Sequence, residues 1–181
     1  MERTSFRKHA GLQFALAVAG LLAATCGAVP FLPPVTNEWI PLGIGIALLV
    51  PLHVATIVRS NLLAVRSKGL ATRANQWRAL LALPRPAHIL MACVGLAGAA
   101  LLVSAAADHS HLENPGAAEG RYFAVDTTDS HRQRIEITRS TYEALRKDDQ
   151  TTLFAGYALI AAVGGGLTLV FAQLDAWSDE R

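Results

Sequence analysis

Two histidines and two carboxylates lie within six residues of one another, at Asp108, His109, His111 and Glu113. Imidazole nitrogens and carboxylate oxygens together form a donor set that copper or zinc can take in proteins. The spacing matches no established metal motif, and solvated loops often carry such residues. We therefore expect an exposed polar loop here and keep a metal site as the alternative hypothesis.

A second pair of histidines raises haem binding as another alternative. His53 and His88 fall at similar depths in two apolar segments that we expect to be neighbouring helices, and buried imidazoles can hold a haem iron between helices. His88, however, begins its segment, where solvent reaches it. His53 follows Pro51, which frees a backbone carbonyl that the imidazole can bond. We expect no cofactor.

Signatures of catalysis are missing from the sequence. It has no HExxH, GxSxG or Walker motif, and no Asp or Glu lies within its long apolar segments. Cys26 and Cys93 form no CxxC motif, and we expect them to differ in depth by roughly 15 Å along their helices. That separation is beyond the reach of a disulfide. We expect a protein that is not an enzyme.

The elements that must position these residues are apolar helices. The chain has 181 residues, of which 52% are hydrophobic, and its mean hydropathy is +0.32. A bilayer core requires about 20 apolar residues of helix. The segments long enough, and free of charge inside, are residues 10–29, 40–58, 87–107 and 152–174. The sequence predicts one all-α membrane domain over residues 1–181, a four-helix transmembrane bundle.

Charges between the predicted spans indicate the orientation. The loop at residues 59–86 carries six basic and no acidic residues, whereas the loop at residues 108–151 carries six basic and nine acidic ones. Basic loops stay in the cytoplasm, so we expect both termini there. Arginine outnumbers lysine 13 to 3, which is typical of a GC-rich bacterial genome. We therefore expect the protein in a bacterial inner membrane. The six basic residues are Arg59, Arg66, Lys68, Arg73, Arg78 and Arg85.

The basic loop also has helical periodicity. Apolar residues recur at spacings of four, three and four residues, at Leu70, Ala74, Trp77 and Leu81. This pattern is typical of a helix in the headgroup layer, with its basic residues toward anionic lipid. Nucleic-acid binding is not expected, because Trp77 alone interleaves the charges.

The loop at residues 108–151 predicts a short β-hairpin on the external side, between the third and fourth spans. Its first part, through Gly120, reads as irregular with a turn at residues 114–116. Residues 122–125 and 134–137 alternate in polarity and predict the two strands. The residues expected to share one face of the hairpin are Phe123, Val125, Ile135 and Ile137.

After the hairpin, Ser140 and Glu143 have the spacing of a helix capping box. We expect a helix from about Thr141 that continues into the fourth span. The hairpin followed by Ile137-Thr138-Arg139-Ser140-Thr141-Tyr142-Glu143 and a last span resembles the small uncharacterised four-span membrane proteins of actinobacteria. The resemblance covers about a third of the chain and implies no activity.

Small residues at helical spacing in the apolar segments favour close helix packing, within the chain, with a partner membrane protein or with a second copy. Together these features predict a non-enzymatic accessory or interaction protein of the bacterial inner membrane, of which an immunity protein against a toxin is one form. The alternative is a metal- or haem-binding membrane protein that uses His109 and His111, or His53 and His88.

Overall fold

The computed structural model describes residues 3–29, 37–66, 72–107, 111–128 and 132–179. This part of the chain forms five helices and a three-stranded sheet. The elements are α1 (Arg3–Ala28), α2 (Trp39–Arg66), α3 (Arg73–Leu81), α4 (Arg85–Ala107), β1 (Leu112–Ala118), β2 (Arg121–Asp126), β3 (Gln133–Ile137) and α5 (Arg139–Asp179). Helices α1, α2, α4 and α5 are long and apolar enough to cross a membrane, as the sequence predicts.

The longest element is α5, which has 41 residues and is therefore about 60 Å long. The predicted continuation of one helix into the fourth apolar segment is confirmed. Its start is two residues earlier than predicted, because Thr138 rather than Ser140 caps it. The Thr138 hydroxyl accepts a hydrogen bond from the Thr141 N–H at 3.2 Å, and Glu143 instead pairs with Arg139 one turn before it.

The other helices pack around α5. The interface between α1 and α5 is the most extensive, and α2, α3 and α4 each contact α5 as well. Apolar clusters follow α5 along its length, around Phe154, Ala161 and Leu174. In the most apolar part of each helix, 56% of the α5 residues are buried, against 22% in α2 and 11% in α4. Helix α5 is therefore the core of the helical layer.

Three consecutive glycines of α5, residues 164–166, lie where three other helices meet it. A Cβ atom added at these positions would lie 2.3, 3.0 and 2.9 Å, respectively, from the nearest side-chain atom. Successive residues of a helix point about 100° apart, so each glycine faces a different neighbour. Those neighbours, in the same order, are His53 of α2, Phe14 of α1 and Met91 of α4. The glycines thus permit three close contacts within one turn.

The sheet has three antiparallel strands in the order β1-β2-β3. The predicted hairpin of residues 122–125 and 134–137 is confirmed as β2 and β3, whereas the expected irregular first part is wrong, because it forms β1. The register of β1 against β2 shifts between Glu113 and Gly116, and Asn114 has a φ of 53°. This bulge takes the turn-like residues out of the regular pairing and lets the strand continue. A tight turn with positive φ at Glu119 and Gly120 then joins β1 to β2.

The predicted face of the hairpin is also wrong, by one residue. Ala124 lies opposite Ile135 and Tyr122 lies opposite Ile137, so these four side chains share a face. Ala124 is buried, and the Tyr122 ring lies 4.8 Å from that of Tyr142 in α5. Phe123 is on the other face, because a shift of one residue in a strand reverses every side chain.

The glycine contacts predict that alanine substitutions at two glycines of α5 differ in their effect on stability. Gly164→Ala would force the His53 ring to move, so we expect a loss of about 1–3 kcal/mol in unfolding free energy. Gly156→Ala is the matched control, because a Cβ there meets no atom within 4 Å and alanine favours a helix. Thermal unfolding in detergent measures both variants. Equal effects of the two substitutions would contradict this packing.

Candidate functional site

A buried polar cluster joins three of the long helices. It consists of Gln13 of α1, Thr56 of α2 and Thr168 of α5, and Gln13 and Thr168 are 0% and 1% exposed. The Thr168 Oγ1 lies 2.8 Å from Gln13 Oε1 and 2.8 Å from Thr56 Oγ1. It also lies 2.8 Å from the carbonyl oxygen of Gly164. One hydroxyl therefore connects α1 and α2 to the centre of α5.

The Gln13 amide is only half used by this cluster. Its Oε1 accepts from Thr168, whereas its Nε2 is buried and has no hydrogen-bond partner among the described residues. Burying an unpaired donor costs about 1–3 kcal/mol. The cluster therefore keeps a polar side chain among apolar helices, and the unpaired Nε2 lowers the stability of the fold. Of its members, Gln13 is visible in the sequence as the one amide in the first apolar segment.

His53 packs close to this cluster. Its Nδ1 lies 3.0 Å from the carbonyl oxygen of Leu49, and since a carbonyl can only accept, Nδ1 carries the proton. The predicted bond to the carbonyl that Pro51 frees, that of Ala47, is therefore replaced by one to Leu49. The rest of the ring lies against Gly164.

The structure does not bring His53 and His88 together. His53 contacts α5 at Gly164, and Met91, one turn after His88, contacts α5 at Gly166. Two positions that differ by two residues on a helix point roughly 160° apart. Helices α2 and α4 therefore lie on different sides of α5, and the expected placement of the two histidines on neighbouring helices is not found. Haem binding by this pair stays a hypothesis.

The predicted metal cluster is only partly described, because Asp108 and His109 lie outside the described residues. The carbonyl of His111 accepts hydrogen bonds from the N–H and hydroxyl of Thr127, at 2.8 and 2.9 Å. A Glu113 carboxylate oxygen lies 4.0 Å from the Arg132 guanidinium. Within the described ranges, no three or more His, Cys, Asp or Glu side chains group as metal ligands would. Metal binding stays a hypothesis.

The six basic residues of the loop at residues 59–86 have different placements. Arg59 is half-buried, with Nη1 2.6 Å from His9 Nδ1 and the guanidinium 5.2 Å from the centre of the Phe6 ring. It therefore joins α2 to α1. Lys68 and the side chain of Arg66 lie outside the described part. The other three basic residues are exposed on α3 and at the start of α4, namely Arg73, Arg78 and Arg85.

Helix α3 confirms the helix predicted in the basic loop. Thr72 caps it by accepting from the Asn75 N–H. Trp77 and Leu81 are 61% and 62% exposed, and that they face lipid stays a prediction. On the opposite side, Ala79 is buried in a cluster with Leu174 of α5. This contact fixes α3 across the end of the helical layer that lies away from the sheet.

A groove of about 490 Å³ runs between α3, α4 and α5. Its volume falls within the range of small-molecule sites. Apolar residues, most of them on α5, form most of its surface, while α3 contributes Arg73, Gln76, Trp77 and Leu80. The groove therefore has an apolar length and a basic, aromatic end, a combination that suits an amphiphile. Sequence periodicity alone could not have found it, because three separate helices form it.

The other end of the helical layer has an ion pair that the sequence analysis missed. The Arg146 guanidinium of α5 pairs with the Glu38 carboxylate just before α2, and the two side chains are 19% and 20% exposed. Close by, the Lys147 ammonium lies 3.3 Å from the Val29 carbonyl oxygen. These contacts anchor the end of α1 and the start of α2 to α5. Counting charges by loop, as the orientation argument does, cannot reveal such pairs.

Comparisons of the chain with protein-family models, with curated proteins and with solved structures find no match. The resemblance to four-span actinobacterial proteins therefore stays a prediction.

The polar cluster predicts a specific sensitivity at Thr168. Thr168→Val keeps the shape but removes the hydroxyl, which leaves Gln13 Oε1 without its donor, so we expect a loss of about 1–3 kcal/mol in unfolding free energy. Thr25→Val is the control, because within the described structure its exposed hydroxyl bonds only the Leu21 carbonyl of its own helix. Thermal unfolding in detergent compares the two. If Thr25→Val were as costly as Thr168→Val, the cluster would not link the helices.

Proposed function

We propose that the chain is a multi-pass membrane protein with both termini and α3 on the cytoplasmic side and the sheet outside. The exposed surfaces of the long helices support this, because they are apolar. Large apolar side chains that are about half exposed or more include Ile44, Ile57, Ile89, Leu96, Val103 and Ile160. The charge difference between the loops at residues 59–86 and 108–151 gives the direction.

We further propose that the protein acts by binding in the plane of the membrane rather than by catalysis. The observation that carries this proposal is the low burial of α4, where 11% of the residues in the apolar window are buried, against 56% in α5. The side of α4 that faces away from α5 is therefore available to another helix. The proposed role is therefore that of an accessory or interaction protein.

The exposed side of α4 has the composition of a helix-packing surface. Small residues recur there at spacings of four, three and four, at Cys93, Ala97, Ala100 and Ser104, and all four are exposed. Lipid tails give helices no hydrophobic reason to associate, so close backbone approach through small residues supplies the attraction. We name Cys93, Ala97, Ala100 and Ser104 the α4 face and propose that a membrane partner, or a second copy, packs on it.

The orientation is tested by cysteine labelling in intact cells. In a background with Cys26→Ser and Cys93→Ser, we expect Ala118→Cys, at the end of β1, to react with a membrane-impermeant maleimide. Ala82→Cys, just after α3, should react only once the membrane is permeabilised. Both positions are exposed, so burial cannot explain a difference. Labelling of Ala82→Cys alone in intact cells would invert the proposed topology.

The α4 face is tested by cross-linking through the native Cys93 in membranes of the host cell, with Cys26→Ser present. We expect one adduct of defined mass, and we expect Ala97→Leu with Ala100→Leu to reduce it about tenfold by blocking close approach. Ala47→Leu, at an exposed position of α2, is the matched control. If no adduct forms, or if the α2 control reduces it equally, binding through α4 is excluded.

A further inference from the structure

The groove between α3, α4 and α5 has features that point to one kind of occupant. We propose that it binds an acyl chain of an anionic phospholipid from the surrounding bilayer, with the headgroup against Arg73. This inference rests on the proposed membrane location and deepens it by naming a lipid class and a site.

The length of the groove fits one leaflet. Along α5 its lining extends from Leu159 to Phe171, and these 12 steps correspond to about 18 Å of helix. The hydrocarbon core of a bilayer is about 30 Å thick, so the groove covers little more than half of it. The Leu159 side chain packs against Gly98 of α4, with its Cδ2 2.8 Å from where a Cβ would lie, and closes the space between the helices there. A membrane-spanning partner helix would need a surface that continues beyond this point.

The lining of the groove leaves room for a chain. Gly95 of α4 lies on its wall, and a Cβ there would meet no atom within 4 Å. On the α5 side the groove passes Val163, Leu167 and Val170, all apolar. Apart from Arg73 and Gln76 at the α3 end, the lining is apolar and offers dispersion contacts to a hydrocarbon chain.

The charge at the open end fits an anionic headgroup. Arg73 lines that end and makes no ion pair or side-chain hydrogen bond within the described part of the chain. The sequence has no acidic residue from 39 to 107, so no carboxylate of α3 or α4 competes for it. Trp77, which also lines this end, is of the type that prefers the headgroup level. A guanidinium pairs with the phosphate oxygens of a phospholipid, and an anionic headgroup lacks the positive choline group that offsets this attraction in phosphatidylcholine.

Quenching of Trp77 fluorescence tests the proposal. The protein, with Trp39→Phe and Trp177→Phe so that Trp77 reports alone, is reconstituted in phosphatidylcholine vesicles. Either phosphatidylglycerol or phosphatidylcholine is added with bromine on acyl carbons near the headgroup. We expect brominated phosphatidylglycerol to quench at about fivefold lower mole fraction, the factor for one arginine near an anionic lipid surface.

Two pairs of variants separate site binding from general attraction to the membrane. Arg73→Gln should remove the preference, whereas Arg78→Gln should keep most of it, because Arg78 is exposed on the same helix but does not line the groove. Gly95→Leu should fill the groove and reduce quenching by both lipids. Gly43→Leu, on α2 and also without neighbours within 4 Å, should leave it unchanged.

Equal quenching by the two brominated lipids, equal losses in Arg73→Gln and Arg78→Gln, or no effect of Gly95→Leu would each overturn the proposal. A partner helix in the groove would appear as protection of Trp77 from both lipids before any groove residue is substituted, which also overturns the proposal. Failure of the proposed membrane location is distinguishable, because the protein would then separate from the vesicles on flotation in alkaline carbonate.

Discussion

The close approach of α1, α2 and α4 to the glycines of α5 sets the geometry of the helical layer. Side chains of three helices occupy the space that Cβ atoms would take at residues 164–166. One turn later, Thr168 connects the same α1 and α2 through hydrogen bonds to Gln13 and Thr56. The glycine contacts and the hydrogen bonds of Thr168 therefore join the same helices at the same depth, and a substitution that moves one set of contacts would also move the other.

This arrangement has a consequence for what the rest of the molecule can do. Because α5 takes most of the packing, α4 remains little covered and leaves both an exposed small-residue surface and the groove beside α3. The length of α5 also links the two ends. It carries the sheet through the contact of Tyr142 with Tyr122, and it receives the start of α2 through the Arg146 ion pair with Glu38.

The sequence is sufficient to predict the helices and strands that depend on residues near one another in the chain. Apolar runs free of charge predict the four long helices, and the spacing of Trp77 and Leu81 predicts α3. The continuous α5 follows from helix-favouring residues between the sheet and the last apolar segment. Residues 114–116 misled the interpretation of β1, because an Asn-Pro-Gly sequence normally indicates a turn, whereas here a bulge accommodates it within a strand.

The candidate site was less predictable, because it depends on contacts between residues distant in sequence. Thr56 and Thr168 are ordinary in an apolar helix until folding places their hydroxyls 2.8 Å apart. The groove likewise needs α3 to lie across α4 and α5. His53 and His88 illustrate the opposite failure, since equal depth in two helices suggested a pair that the position of α5 separates.

Hydrogen–deuterium exchange of the protein in lipid nanodiscs tests the central claim that α5 is one unbroken helix at the centre of a membrane-embedded layer. Amide protection should extend without interruption across residues 153–174, and Gly164, Gly165 and Gly166 should exchange as slowly as their neighbours. Rapid exchange at the glycines would show that the run breaks the helix. In that case the three contacts could not form together, and the account of the packing would be wrong.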